Sequence, residues 1–161
     1  MNIGSLWAGS ARRAADGLSV GCERPPIPVL EIARRCGVEV VIGDFGKFRD
    51  QVSGLCDFDE ARLLVNKDDD FVRQTFTMAH ELGHWVLHKS VMEQNTDNIP
   101  VLPRFQDPDR NDPVEKEANI FAMHLLVPER LLRPVRHAPV AQLADVFAVS
   151  ENMMVFRLKH G

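Results

Sequence analysis

Apolar positions along the chain change their period several times, and each change predicts an element. Leu6, Trp7, Ala11, Ala14, Ala15 and Leu18 recur at helical spacing, with Gly17 and Gly21 nearby as stops, which predicts an amphipathic N-terminal helix. Pro25, Pro26 and Pro28 then impose an extended turn. Leu30 to Cys36 reads as a short second helix ended by Gly37, and Val38 to Ile42 follows as a β-rich strand. Val52 to Phe58 and Ala61 to Val65 read as two further strands joined by a tight acidic turn, so a small antiparallel three-stranded sheet is expected ahead of the next helix.

After this sheet the helical period returns. Met78, Leu82, Trp85 and Val86 form an apolar stripe, about 200° away from the row made by His80, His84 and His88. From Lys89 to Pro113 the chain is polar and interrupted by Pro100, Pro103, Pro108 and Pro113, which predicts a long loop able to border a cleft and gate substrate. Pro113 opens a helix that runs to about Val127, with Val114, Ala118, Phe121 and Leu125 as its core stripe. Residues 140–159 carry apolar positions on either side of a break at Ala148-Val149-Ser150 and predict a helical pair. Its spacing is that of a helix-turn-helix, yet the second helix begins with Glu151 and Asn152 and is basic only at Arg157 and Lys159. A DNA reader would place several basic or amide side chains there, so the pair is expected to close the core. The pattern predicts an α+β fold in one domain over residues 1–161, the pair at 140–160 included.

Composition narrows the function classes. With 161 residues, 45% of them hydrophobic, the chain suffices for one domain with a real core. A net charge of −4 offers no electrostatic reason to hold a nucleic-acid backbone or an anionic membrane, so direct DNA binding is not expected. Cys22, Cys36 and Cys56 are widely spaced and odd in number, which argues against a disulfide framework or a cysteine zinc knuckle and fits a reducing cytosol. The first twenty residues lack the apolar run of a signal peptide, and no stretch approaches about 20 apolar residues. A cytoplasmic protein without a membrane anchor is the expectation.

The chemistry concentrates in His80-Glu81-Leu82-Gly83-His84. At about 100° per residue, positions i and i+4 of a helix stack on one face, so two imidazoles converge while Glu81 sits one residue round. Two nitrogen ligands beside a carboxylate that can deprotonate a metal-bound water are the elements of a zinc-hydrolase helix. His88 continues the row, but about 12 Å of helix axis separates it from His80 against metal bonds of about 2 Å, so it is read as flanking the site or capping the helix. Gly83 costs about 1 kcal/mol against Ala in a helix interior, which points to another backbone or substrate approaching closely there. The Asp68-Asp69-Asp70 run reads as a solvated loop favourable to the helix dipole rather than a metal cluster.

A catalytic zinc needs a third protein ligand. Leu87 and Ser90 stand where the long metzincin pattern requires Gly and His, so that class is excluded. A downstream helix bearing a carboxylate remains, and Glu115-Lys116-Glu117-Ala118-Asn119 supplies two candidates. Glu115 stacks with Asn119 at i+4, a polar residue able to orient a ligand, while Glu117 lies about 200° round the helix on a row through Phe121 to His124. The core stripe alone does not decide between them.

The run Arg73-Gln74-Thr75-Phe76-Thr77-Met78-Ala79-His80-Glu81-Leu82-Gly83-His84-Trp85-Val86-Leu87-His88, followed by Glu115 to Ala122 and Leu125-Leu126-Val127-Pro128, resembles the ImmA/IrrE family of zinc metallopeptidases. The resemblance extends from about Ala11 to the helix after Val149-Ser150, and Val127 departs from it where the family often has methionine. It implies a gluzincin-like site in which zinc is held by His80, His84 and Glu115, the last because the family ligand lies three residues before the alanine of the Ala-Asn pair. It further implies a cytosolic endopeptidase that cleaves a helix-turn-helix repressor, an anti-repressor role tied to a mobile element or a stress response. Glu81 is then the general base, with Asn119 and His88 as flanking or substrate-side residues. The chain has no tyrosine, so the oxyanion donor falls to His88, His124, His137 or an arginine. A non-catalytic regulator keeping the zinc fold to bind a partner is the alternative, and Glu81 argues against it, since a structural site has no use for a base. An extended substrate is expected along the strand Ala61 to Val65 as a free edge.

Overall fold

The computed structural model describes residues 3–94, 101–105 and 112–161. Its elements are α1 (Ile3–Ser19), α2 (Val29–Arg35), β1 (Glu39–Gly43), β2 (Val52–Asp57), β3 (Arg62–Asn66), the long α3 (Phe71–Gln94), β4 (Val101–Phe105), α4 (Pro113–Leu126), the short α5 (Glu129–Leu132), and the pair α6 (Val140–Phe147) and α7 (Glu151–Lys159). The α+β class follows the hydrophobic pattern, and so does the order of helices and strands apart from β4 and the short α5. The gating role read into the long loop falls largely on residues 95–100 and 106–111 and lies outside the described residues, as does the packing of Leu6 and Trp7.

The sheet corrects the sequence reading in two ways. It is mixed and four-stranded, in the order β1-β3-β2-β4. β2 and β3 pair as the expected antiparallel hairpin, with Leu55 opposite Leu64, while β1 runs parallel to β3 with Val41 opposite Leu64. No tight turn links β1 to β3, so nothing local sets their relative direction. The fourth strand, β4, pairs antiparallel with β2 inside the stretch read as a loop. Pro103 lies within it, opposite Leu55. A proline cannot donate to a ladder and is tolerated on an edge strand, so here it marks an edge rather than a loop.

Two short polar devices fix the hairpin and the helix that follows. The Asp57 carboxylate accepts from the backbone N–H of Asp59 and of Glu60, both at 3.1 Å, closing the acidic turn, and Ala61 takes a left-handed φ of 52° there rather than opening the strand. Asp70 Oδ1 accepts from the Arg73 N–H at 2.8 Å, so the last residue of the acidic run caps the start of α3. The dipole-favouring role expected of that run is thereby joined to a specific hydrogen bond.

The sequence reading set one apolar stripe of α3 toward the core and a row of imidazoles about 200° away from it. Instead residues 79–85 are all buried, because β2 and β3 pack on one side of the helix, α4 on another, and α2 near Trp85. The Trp85 indole N–H donates to the Cys36 carbonyl at 3.2 Å, and its ring stacks 6.1 Å from Phe58. Val86, one residue further round, turns to solvent and leaves the expected stripe.

Two glycines make this enclosure possible. A Cβ at Gly54 of β2 would lie 2.4 Å from Thr77 Cγ2 and 3.5 Å from Glu81 Cγ, so the strand lets α3 sit directly upon it. A Cβ at Gly83 would meet the Phe121 ring at 2.9 Å and the Ala118 Cα at 3.3 Å. The close approach expected at Gly83 is therefore made by α4. Gly83→Ala should push α3 and α4 apart and destabilise the fold by about 1–3 kcal/mol, the usual cost of overpacking, read as a lower urea midpoint at unchanged m-value.

The C-terminal pair closes the core as expected. Leu143, Ala144, Phe147, Val149 and Met154 join Ala11 and Ala15 of α1 and Phe121 and Leu125 of α4 in one cluster. Arg157 is fully buried, donating from Nε to the Val127 carbonyl at 3.1 Å and from Nη2 to Glu129 at 3.2 Å. Arg157 is thus turned inward to tie α7 to the start of α5. Among the described residues no helix is long and apolar enough to cross a membrane.

Candidate metal centre

α3 and α4 cross where Gly83 meets Ala118 and Phe121, and the crossing brings three side chains together. His80 and His84, one helical turn apart, place their Nε2 atoms 3.1 Å from each other. Glu115 reaches across from the first turn of α4, with Oε2 at 3.0 Å from His80 Nε2 and Oε1 at 3.1 Å from His84 Nε2. Both imidazoles are almost wholly buried and the carboxylate largely so. Asp112 caps α4 by accepting from the Val114 N–H at 2.9 Å, which fixes the start of the helix that presents Glu115.

The three residues form a group able to hold a metal ion. Around an ion bound at about 2.0–2.1 Å in tetrahedral geometry, ligand atoms lie about 3.3 Å apart, close to the spacing found. Two imidazole nitrogens and one carboxylate oxygen are also the donor set that suits zinc. Burial by itself would raise the Glu115 carboxyl, but hydrogen bonding and charge from His80 and His84 outweigh it and hold the group far below the usual carboxylate range.

Each histidine is backed by a second residue. His80 Nδ1 lies 2.8 Å from Asn119 Oδ1. His84 Nδ1 lies 3.0 Å from His88 Nδ1, and His88 Nε2 lies 2.9 Å from Glu117 Oε2. Because α3 runs on to Gln94, His88 does not cap the helix end; it sits mid-helix beside the site. Burial pushes its imidazole below the ordinary value, with Glu117 opposing the shift. Glu81 is fully buried on the sheet side of α3, its Cγ close to the position a Cβ would take at Gly54.

The remaining histidines considered for the oxyanion do not join this group. His124 lies about 13 Å further along α4 than Glu115 and lines a separate cavity with Arg12, Phe156 and His160. Burial, then the charges of Arg157 and Arg12, push its imidazole down to about 4. His137 is exposed in the turn before α6. Three contributors escaped the sequence reading: Gly54, Glu117 as a partner of His88, and Phe76, whose ring lies 6.2 Å from that of His80. A lone glycine inside a strand pattern was the available signal for the first. A groove of about 760 Å³ runs beside the His80–Asn119 pair, walled by Phe76, Ile120, Met123, Met153 and Phe156.

Residues 33–159 match the family Peptidase_M78, described as the IrrE N-terminal-like domain. Metallopeptidase ImmA of Bacillus subtilis (strain 168) is 28% identical over 106 residues, covering 65% of this chain and 56% of that protein. The solved structure of a Mycobacterium tuberculosis transcriptional regulator aligns with a TM-score of 0.61 at 21% identity, over 94% of this chain and 46% of its own length, a likeness of fold. The chain therefore spans about half the length of these relatives.

Proposed function

We propose, since this chain belongs to the Peptidase_M78 family of IrrE N-terminal-like domains, that it is a zinc-dependent endopeptidase with His80, His84 and Glu115 as metal ligands and Glu81 as general base. The observation that carries this reading is the convergence of two imidazole nitrogens and one carboxylate within 3.1 Å, beside a buried glutamate on the same turn of α3. When bound there, zinc supplies Lewis-acid polarisation of a peptide carbonyl and of the attacking water. Glu81 takes the proton of that water and returns it to the departing amine. Asn119 Oδ1 accepts from His80 Nδ1–H, which leaves the Nε2 lone pair facing the site.

The strand nominated for substrate needs correction. β3 is interior, paired with β1 on one side and β2 on the other, so Ala61 to Val65 offers no free edge. The outer strands are β1 and β4. β4 neighbours β2, whose Gly54 lies against Glu81, and is the edge an extended peptide would join by main-chain hydrogen bonds.

The family resemblance supports a helix-turn-helix repressor as the substrate. Incubation of the zinc-loaded protein with a purified repressor encoded beside its gene, followed by intact-mass spectrometry, tests this. Discrete fragments that disappear with chelator are expected. A repressor that binds and stays intact would instead favour the regulator.

A further inference from the structure

We propose that His88 and Glu117 are positioning residues that set the tautomer and orientation of His84. The inference rests on the metal site proposed above. His84 turns Nε2 toward His80 and Glu115, and its other nitrogen lies 3.0 Å from His88 Nδ1. His88 Nε2 in turn lies 2.9 Å from Glu117 Oε2. These three side chains form a file leading away from the metal group, all of them buried or largely so.

Donor and acceptor chemistry gives the file one direction. An ionised carboxylate can only accept, so His88 must carry its proton on Nε2 and donate to Glu117. With a single proton on the His88 ring, its Nδ1 is then a lone pair and can only accept. His84 must therefore carry its own proton on Nδ1, which leaves Nε2 as the lone pair facing Glu115 and His80. The opposite arrangement, with His88 donating from Nδ1, would place the His84 proton on Nε2, where it would block a metal.

The two histidines are therefore oriented by different means. His80 is backed directly by a neutral amide, whose two ends could exchange by a flip, whereas His84 is backed by a charge that cannot reverse its role. Glu117 stands two residues after Glu115, so α4 contributes to α3 both a candidate ligand and the anchor that orients another. Glu117 acts one turn further along α3, through His88.

The test uses the full chain. Competitive chelator titration of wild type, Glu117→Ala and Glu117→Gln measures zinc affinity, and ¹⁵N-histidine NMR of the zinc-loaded wild type reads the tautomers. Glu117→Ala should bind zinc about 10–100-fold more weakly, while Glu117→Gln, which keeps an acceptor oxygen, should lie between it and wild type. The spectra should show His84 protonated at Nδ1 and His88 at Nε2. Wild-type affinity in Glu117→Ala, or His88 protonated at Nδ1 in the wild type, would overturn the proposal with the metal site intact. Loss of thermal stability in the metal-free variant with no change in zinc affinity would do the same, since it assigns Glu117 a packing role. Absence of zinc binding by wild type would remove the metal site itself and the relay with it.

Discussion

Glu81→Gln should keep its fold and its zinc and lose peptide cleavage by at least about 100-fold in kcat, the contribution of a positioned general base. The side chain is fully buried on the sheet side of α3, so an isosteric amide occupies the same volume against Gly54. It does not belong to the converging group of His80, His84 and Glu115, so metal loading should be unchanged. What the amide lacks is a basic oxygen to take a proton from water. Zinc content and turnover measured on the same preparation separate the two properties. Cleavage at the wild-type rate would show that Glu81 is not the base.

Glu115→Ala should weaken zinc binding far beyond the roughly 10–100-fold expected on loss of an outer partner, because it removes one of the three proposed protein ligands. Its carboxylate lies 3.0 Å from His80 Nε2 and 3.1 Å from His84 Nε2, the position a third ligand needs. Glu117→Ala removes a group one histidine further out and should fall within that outer range. The contrast reads the geometry directly, since the two acids lie two residues apart on one helix. If Glu117→Ala proved the more damaging in a competitive titration, the ligand assignment would be reversed.

How far the sequence went depended on whether a feature is set locally or by chain crossings. The pairing of His80 with His84 follows from helical rise and turn alone, so spacing was sufficient to place both on one face. The helix bearing Glu115 was legible too, from Pro113 at its start and the stripe through Ala118, Phe121 and Leu125, all three fully buried. The partnership of His88 with Glu117 was not, because it exists only where α3 meets α4. Strand order has the same character: a tight turn prescribes the β2–β3 hairpin, whereas β1 reaches β3 without one. β4 was hidden by Pro103, whose missing N–H breaks a central strand but is tolerated at an edge. The periodicity used to read α3 gave the core a single apolar stripe, whereas the sheet and neighbouring helices bury every residue from 79 to 85.

Metal analysis tests the central claim most directly. Protein purified without chelator, analysed by plasma emission and then titrated with zinc at neutral pH, should hold one zinc per chain, with occupancy lost in the His80→Ala and His84→Ala variants. A folded wild-type protein that contains no zinc and takes up none in the titration would contradict the account.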